Sequence, residues 1–295
     1  MKPAAFDYHR AESVEHALAL LQEHGYDAKL LAGGQSLVPA MNFRLSMPGV
    51  LIDLNRISGL DYIRTDGGVL RIGALVRQHA AEVSAEIAAA APLIAETMPY
   101  VAHPQIRNRG TMGGSIAHAD PAAELPAVML ALGASFRVHG PNGTRTIAAD
   151  DFFTGLFATA LEPDEMLAEI EVPVAAPRSG HSFIEVSRRH GDFALAGIAA
   201  SVQLDDGGKC SGARIALLGV GEGPVLAHGA AAALAGTDAS ADAIRAAVDA
   251  ARADVDPPYD IHASSDYRRH LVGVLVSRAL PLAFERARAN AGERS

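Results

Sequence analysis

Cysteine is nearly missing from this chain of 295 residues, with Cys210 the only one. That excludes an internal disulfide, a Cys-ligated iron–sulfur cluster and a zinc finger, so any cluster chemistry must be carried by a partner. Cys210 itself is expected to be partly exposed, in the turn after DDGGK. Clustered positive charge is missing too: the net charge is -9 with no basic run, which argues against a nucleic-acid partner. No segment reaches the ~18 apolar residues of a membrane span. The opening residues, MKPAAFDYHRAESVEHALALL, lack the uninterrupted apolar core of a secretory signal. A cytoplasmic protein is expected. Gly219 to Pro224 has proline where a dinucleotide-binding fingerprint needs its third glycine. The histidines are scattered and no HExxH occurs, so no metal site is expected. No Ser–His–Asp or Cys–His set can be assembled without guessing.

What is present is a run of punctuated elements, enough for two or three compact units. Ser13 reads as the N-cap of a helix to His24, with Val14, Ala17, Leu18 and Leu21 on one face and Gly25 ending it. Ala28–Ala32 and Val50–Leu54 read as strands, and Tyr62–Arg64 with Val69–Ile72 as a hairpin around Asp66-Gly67-Gly68. An Ala-rich helical region is expected from Leu75 to Met98, then a mostly irregular stretch from His103 to Pro126 and a helix over Ala127–Leu132. Ser135–His139 and Arg145–Ala148 flank a turn, and Met166–Val172 reads as a closing strand. Pro173 to Gly180 is the best linker. Beyond it, Phe183–Arg188, Ile198–Leu204 and Ala213–Leu218 read as a three-strand meander, followed by helices over Asp242–Arg252 and Tyr267–Arg288. The last is expected to bury Leu271, Val274, Leu275 and Leu282.

Two glycine pairs carry the chemistry: Gly33-Gly34 in AGGQSL and Gly113-Gly114 in TMGGS. Glycine admits positive φ and close approach of a ligand to the main chain, and successive N–H groups in such turns can converge on an anion. Two such loops closing on one diphosphate point to a flavin dinucleotide site. In AGGQSL, Ser36 could donate its hydroxyl and a helix from Leu37 could add its dipole; a tight turn that merely needs glycine is the other reading. Thr111 and Ser115 bracket the second pair with hydroxyls. Asp120 and Glu124 suit ribose or ribityl hydroxyls, or could be charges at a helix N-terminus. Arg107 and Arg109 could pair with phosphate or tie the loop to nearby carboxylates, the second being the favoured reading, and His103 and His118 are expected to brace the loop. Phe193, after the Gly191-Asp192 turn, could lie on a flavin ring; spacing alone favours a core Phe opening a strand.

With these motifs in view, the chain resembles the FAD-binding medium subunit of the molybdenum hydroxylases, the group of aerobic-type carbon monoxide dehydrogenase and the xanthine dehydrogenase flavin domain. LLAGGQSLVPAMNFRL, IRNRGTMGGSIAHADPAAELPA, LAEIEVP, RRHGDFALAG and YRRHLVGVLVSRAL fall in family order. The resemblance implies an α+β protein. A two-lobed α/β FAD-binding domain would span 1–176, with lobes of about 1–57 and 58–176, followed by an antiparallel-sheet-plus-helices domain over 177–295. Ala32, Gly33, Gly34, Gln35, Ser36 and Leu37, with Thr111, Gly113, Gly114 and Ser115, would hold the FAD diphosphate and its surroundings. Asp120 and Glu124 would meet hydroxyls, while Val101, Ala102, Leu167 and Phe193 would line the ring sites. Relatives often carry His at Gln35 and Asn at Ser115, and several have a Lys at Ile184 reaching towards the flavin. The implied partners are a large molybdenum-cofactor subunit and a small subunit with two 2Fe–2S clusters, in a heterotrimer that dimerises. Quinone, oxygen or NAD would accept the electrons. A self-contained FAD oxidoreductase and a scaffold with vestigial loops are the alternatives.

Overall fold

The computed structural model describes residues 1–292; the last three positions of the second expected domain, 293–295, lie outside the described residues. The chain opens with β1 (Asp7–Arg10), α1 (Val14–His24), β2 (Ala28–Leu31), α2 (Leu37–Asn42) and β3 (Val50–Asp53). These strands form a parallel sheet in the order β1-β3-β2. The Ser13 hydroxyl caps α1 by accepting from His16 N–H at 3.1 Å, and Gly25 ends it with φ 53°. Leu20 joins Ala17 and Leu21 in the core, while Val14 and Leu18 stay half-buried. Sequence reading missed β1: it is four residues of mostly exposed, polar chain held by backbone pairing to the buried β3.

A second, antiparallel sheet is built from β4 (Ile63–Asp66), β5 (Val69–Gly73), β6 (Ser135–Gly140), β7 (Gly143–Ala148) and, further on, β10 (Met166–Pro173). The β4–β5 turn uses Gly67 and Gly68, both at positive φ (57° and 79°), the geometry that matches strand twist. Between β5 and β6 the expected helical region is broken into α3 (Gln78–Glu82), α4 (Ala85–Ala90) and α5 (Pro92–Thr97). Ser84 starts α4 by accepting from Ile87 N–H, and Pro92 begins α5 because it cannot continue α4. The stretch expected to be irregular holds α6 (Pro104–Arg107), α7 (Met112–His118) and α8 (Glu124–Leu132). After β7 come α9 (Ala149–Phe152) and a small hairpin of β8 (Phe153–Gly155) and β9 (Ala158–Thr159). The strand expected to close the unit, β10, lies at its centre, in the order β4-β5-β10-β6-β7. Its Ile170 and Val172 enter one core, whereas Met166 and Ala168 face the core of the first lobe.

The rest of the chain forms β11 (Ser179–Ser187), β12 (Ala194–Leu204), β13 (Cys210–Leu218), the short β14 (Val225–Leu226), α10 (His228–Leu234), α11 (Ala241–Ala253) and α12 (Ser265–Gly292). The expected meander is therefore four-stranded, and α10 was not anticipated. One face of this antiparallel sheet joins the larger core through Phe183, Ala199 and Leu218, against α5 and α8. The opposite face packs on α10 to α12. A sheet covered on both sides explains the unbroken burial of Ala194–Ala200. In α12, Leu271 and Leu275 are buried as expected, but Val274 and Leu282 are half-buried. Val272, Val276, Leu280 and Phe284 complete the buried face. Cys210 is buried rather than partly exposed, and burial pushes its thiol up.

Candidate functional site

The first glycine motif follows β2 at the carboxyl end of the parallel sheet. Gly34 takes φ 73° and the chain turns into α2. Gly33 has a different need: a β-carbon there would lie 2.8 Å from Gly110 Cα and against the Arg109 carbonyl oxygen. The N–H groups of Gly33, Gly34, Gln35 and Ser36 donate no hydrogen bond among the described residues. Gln35 Nε2 donates to the Gly33 carbonyl at 3.1 Å, and the Ser36 hydroxyl makes no capping bond.

The second motif is no loop. Gly113 and Gly114 sit in the first turn of α7, and its N–H groups are already used. Met112 N–H donates to Val76 O and Gly113 N–H to Ala74 O, both at 2.9 Å. Gly114 N–H donates to the Thr111 hydroxyl at 3.1 Å, and Ser115 N–H to the Thr111 carbonyl. A β-carbon on Gly113 would stand 2.5 Å from Ala74 Cβ, so this glycine lets α7 press onto the end of β5. The expectation that both pairs present amides to an anion is thus corrected for the second.

Between the motifs lies a cavity of about 850 Å³, within the size range of small-molecule and cofactor sites. Ala32, Gly33, Gly34, Gln35, Ser36 and Leu37 line it on one side; Thr111, Gly113, Gly114, Ser115, Asp120 and Glu124 line it on another; Val101, Ala102, Leu167 and Phe193 complete it. Leu167 sits where the β10–β6 register shifts. Asp120 Oδ1 accepts from Ala122 N–H at 2.9 Å, and Glu124 is the first residue of α8. Glu124 is 7% exposed; burial, with Asp120 beside it, pushes its carboxyl up to about 7. It can therefore accept or donate a hydrogen bond near neutral pH. Behind this wall β11 carries Glu185; burial and Glu124 push it up to about 8, and its Oε2 has no hydrogen-bond partner among the described residues.

Arg107 braces the wall. It grips Glu82 through two 2.9 Å bonds and donates to the Val101 and Ala102 carbonyls at 2.9 and 3.2 Å, holding Ala102 at φ 47°. The Arg109 side chain is exposed, and its carbonyl packs on Gly33. His103 fills the space where a Gly191 side chain would be. Phe193 is 69% exposed at the cavity, not a core residue opening β12. Ile184 packs with the C-terminal helices, so a longer side chain there would start from the face turned away from the cavity. Sequence reading missed Phe157, which lines the cavity at φ 52° and meets the His118 ring with centroids 5.2 Å apart. Burial pushes His118 down. Among the described residues no group of His, Cys, Asp or Glu is arranged to hold a metal ion, and no helix is long and apolar enough to cross a membrane.

Unbonded main-chain amides, the carboxyls of Asp120 and Glu124 and an exposed aromatic around one cavity have the makings of a dinucleotide site in a protein of two domains. Residues 4–175 match the FAD binding domain in molybdopterin dehydrogenase, and residues 181–283 the CO dehydrogenase flavoprotein C-terminal domain. The chain is 46% identical over 288 residues to the 6-hydroxypseudooxynicotine dehydrogenase complex subunit alpha of Paenarthrobacter nicotinovorans, covering 98% of this chain and 97% of that one. It is 42% identical to the carbon monoxide dehydrogenase medium chain of Hydrogenophaga pseudoflava, covering 97% and 99%. The solved structure of carbon monoxide dehydrogenase from that organism superposes with a TM-score of 0.95 at 44% identity, over 97% of this chain and 99% of that one. Quinoline 2-oxidoreductase from Pseudomonas putida 86 gives 0.91 at 36%, over 99% and 100%. The chain belongs to the family of FAD-binding medium subunits of the molybdenum hydroxylases; FAD is its cofactor and electron transfer within an oxidoreductase its role.

Proposed function

We propose that this chain accepts electrons from 2Fe–2S clusters on a small partner subunit and passes them to an external acceptor, quinone, oxygen or NAD. A large molybdenum-cofactor subunit would complete a heterotrimer that dimerises in the cytoplasm. The observation that carries the reading is the set of four unbonded main-chain N–H groups, Gly33 to Ser36, at the wall of the cavity. Bound FAD supplies the redox chemistry. The chain's own residues bind and orient it: the first motif and Ser36 at the diphosphate, Thr111 to Ser115 as the facing wall, Asp120 and Glu124 at hydroxyls, and Val101, Ala102, Leu167 and Phe193 around the rings. Glu124, poised near neutrality, can hold a proton at its carboxyl when charge changes in the cavity. A single buried cysteine leaves the clusters to a partner. Val38, Phe43, Leu45 and Met47, all exposed along the segment that also lines the cavity with Leu37 and Ala40, supply apolar surface for one. The domain boundary falls at 176–177, between β10 and β11.

The test is the absorption spectrum of the purified full chain after incubation with FAD and desalting, with the released cofactor identified by mass. The expected result is a retained two-band flavin spectrum, bleached by an artificial electron donor, with no oxidation of nicotine, purine or aldehyde substrates by the chain alone. A folded chain that stays colourless contradicts the reading, and substrate turnover without partners contradicts the subunit role.

A further inference from the structure

Outside the cavity, one run of side chains grips the main chain of both glycine motifs. Asn55, just past β3, donates from Nδ2 to the Ala32 carbonyl at 2.8 Å and accepts at Oδ1 from Arg77 Nη2 at 2.6 Å. Arg77 Nη1 donates to the Arg109 carbonyl. Ala32 directly precedes Gly33, and Arg109 stands two residues before Thr111, the cap of α7. The Arg77 backbone also bridges Thr111. Asp53 anchors the far end: it accepts from Asn55 N–H at 2.8 Å, from Asn55 Nδ2 at 2.6 Å and from the Tyr8 hydroxyl. The tether thus runs from β1 and β3 in the first lobe to the second motif in the other.

Arg77 forms no ion pair among the described residues; both of its hydrogen-bond partners are neutral oxygens, and burial and the nearby Arg109 cation push its guanidinium down. A planar guanidinium presents its donors in a fixed fork, so two oxygens held by one fork are held at one separation. We infer that Asn55 and Arg77 are positioning residues that set the spacing between the free amides of the first motif and the helix of the second, and through it the affinity for FAD. The inference rests on the FAD reading above.

The full chain, wild type and with Asn55→Ala, Arg77→Ala, both together, or Arg77→Lys, is titrated with FAD and melted without it. Visible circular dichroism of the bound flavin reports its setting. The expected result is about tenfold weaker FAD binding for each alanine variant, with the double variant no weaker than the worse single one because the two act as one unit. The flavin dichroism changes and the FAD-free thermal midpoint moves little. Arg77→Lys does not rescue, since an ammonium has no fork. Unchanged affinity in the variants overturns the inference, as do losses that simply add and track the midpoint of the FAD-free chain. Should an alanine variant not fold, the Arg77→Lys titration decides: wild-type affinity there overturns it. A wild-type chain that binds no FAD would instead remove the reading on which the inference rests.

Discussion

Gly33-Gly34 and Gly113-Gly114 look alike in sequence and do different physical work. The run begun by the first pair, Gly33 to Ser36, leaves four N–H groups without partners among the described residues beside the cavity; the turn around the second spends its N–H groups on Ala74, Val76 and Thr111. One leaves its donors open beside a cavity, and the other lets a helix start hard against a strand. Even within the first pair the roles divide, since Gly34 needs its positive φ and Gly33 needs to clear Gly110. A glycine pair therefore marks a close approach, and only an account of its hydrogen bonds shows whether the approaching body is a ligand or the chain itself.

The largest effect expected from testing this comparison is on stability. Gly113→Val should destabilise the FAD-free chain by about 3 kcal/mol, because the added carbons meet Ala74. Its thermal midpoint should fall whether or not FAD is added. An unchanged midpoint would show that the second pair is not a packing device.

Next in size is a pH effect on the wall behind the second motif. Glu124 and Glu185 titrate at about 7 and about 8 in the folded chain, above the ordinary 4.5. Each holds its proton longer when folded, so its stabilising contribution is full below pH 4.5 and is lost as pH rises through those values. Glu124→Gln and Glu185→Gln should flatten the decline in thermal midpoint between pH 4.5 and about 8 and raise the midpoint relative to wild type at pH 9. His181, pushed down to about 4 by burial and Arg286, acts oppositely. Its contribution is full above pH 6.5 and is lost as pH falls towards 4.

Smaller effects belong to the first motif and the rings. Ser36→Ala should weaken FAD by about threefold to tenfold, the worth of one hydrogen bond, with no change in FAD-free stability. Phe193→Ala should cost about 0.5–1.5 kcal/mol of FAD binding, and almost nothing in the FAD-free chain because the ring is exposed. Equal losses of stability and affinity in Ser36→Ala would erase the distinction between the two motifs.

Local signals in the sequence were readable where they were self-contained. The Ser13 cap, the Gly67-Gly68 turn and the α11 pattern all sit within a few residues of their causes. Non-local arrangement was not readable. β1 exists because β3 pairs with it, and β10 is central because β5 and β6 flank it. Glycines masked α7, whose first turn is stabilised by Thr111 and by contact with the end of β5. The motif residues could be named in advance because they cluster in short runs. Phe157 at the cavity, and Asn55, Arg77 and Glu185 behind it, could not, since each comes from an element distant in sequence from the motifs and has no local signature.

The most direct test of the division between the motifs is hydrogen–deuterium exchange of the full chain with and without FAD, followed at residues 33–37 and 112–115. The account predicts that Gly33 to Leu37 exchange fast in the FAD-free chain and become protected when FAD binds, while Met112 to Ser115 are protected in both. Protection gained at Met112 to Ser115 with none at Gly33 to Leu37 would contradict it.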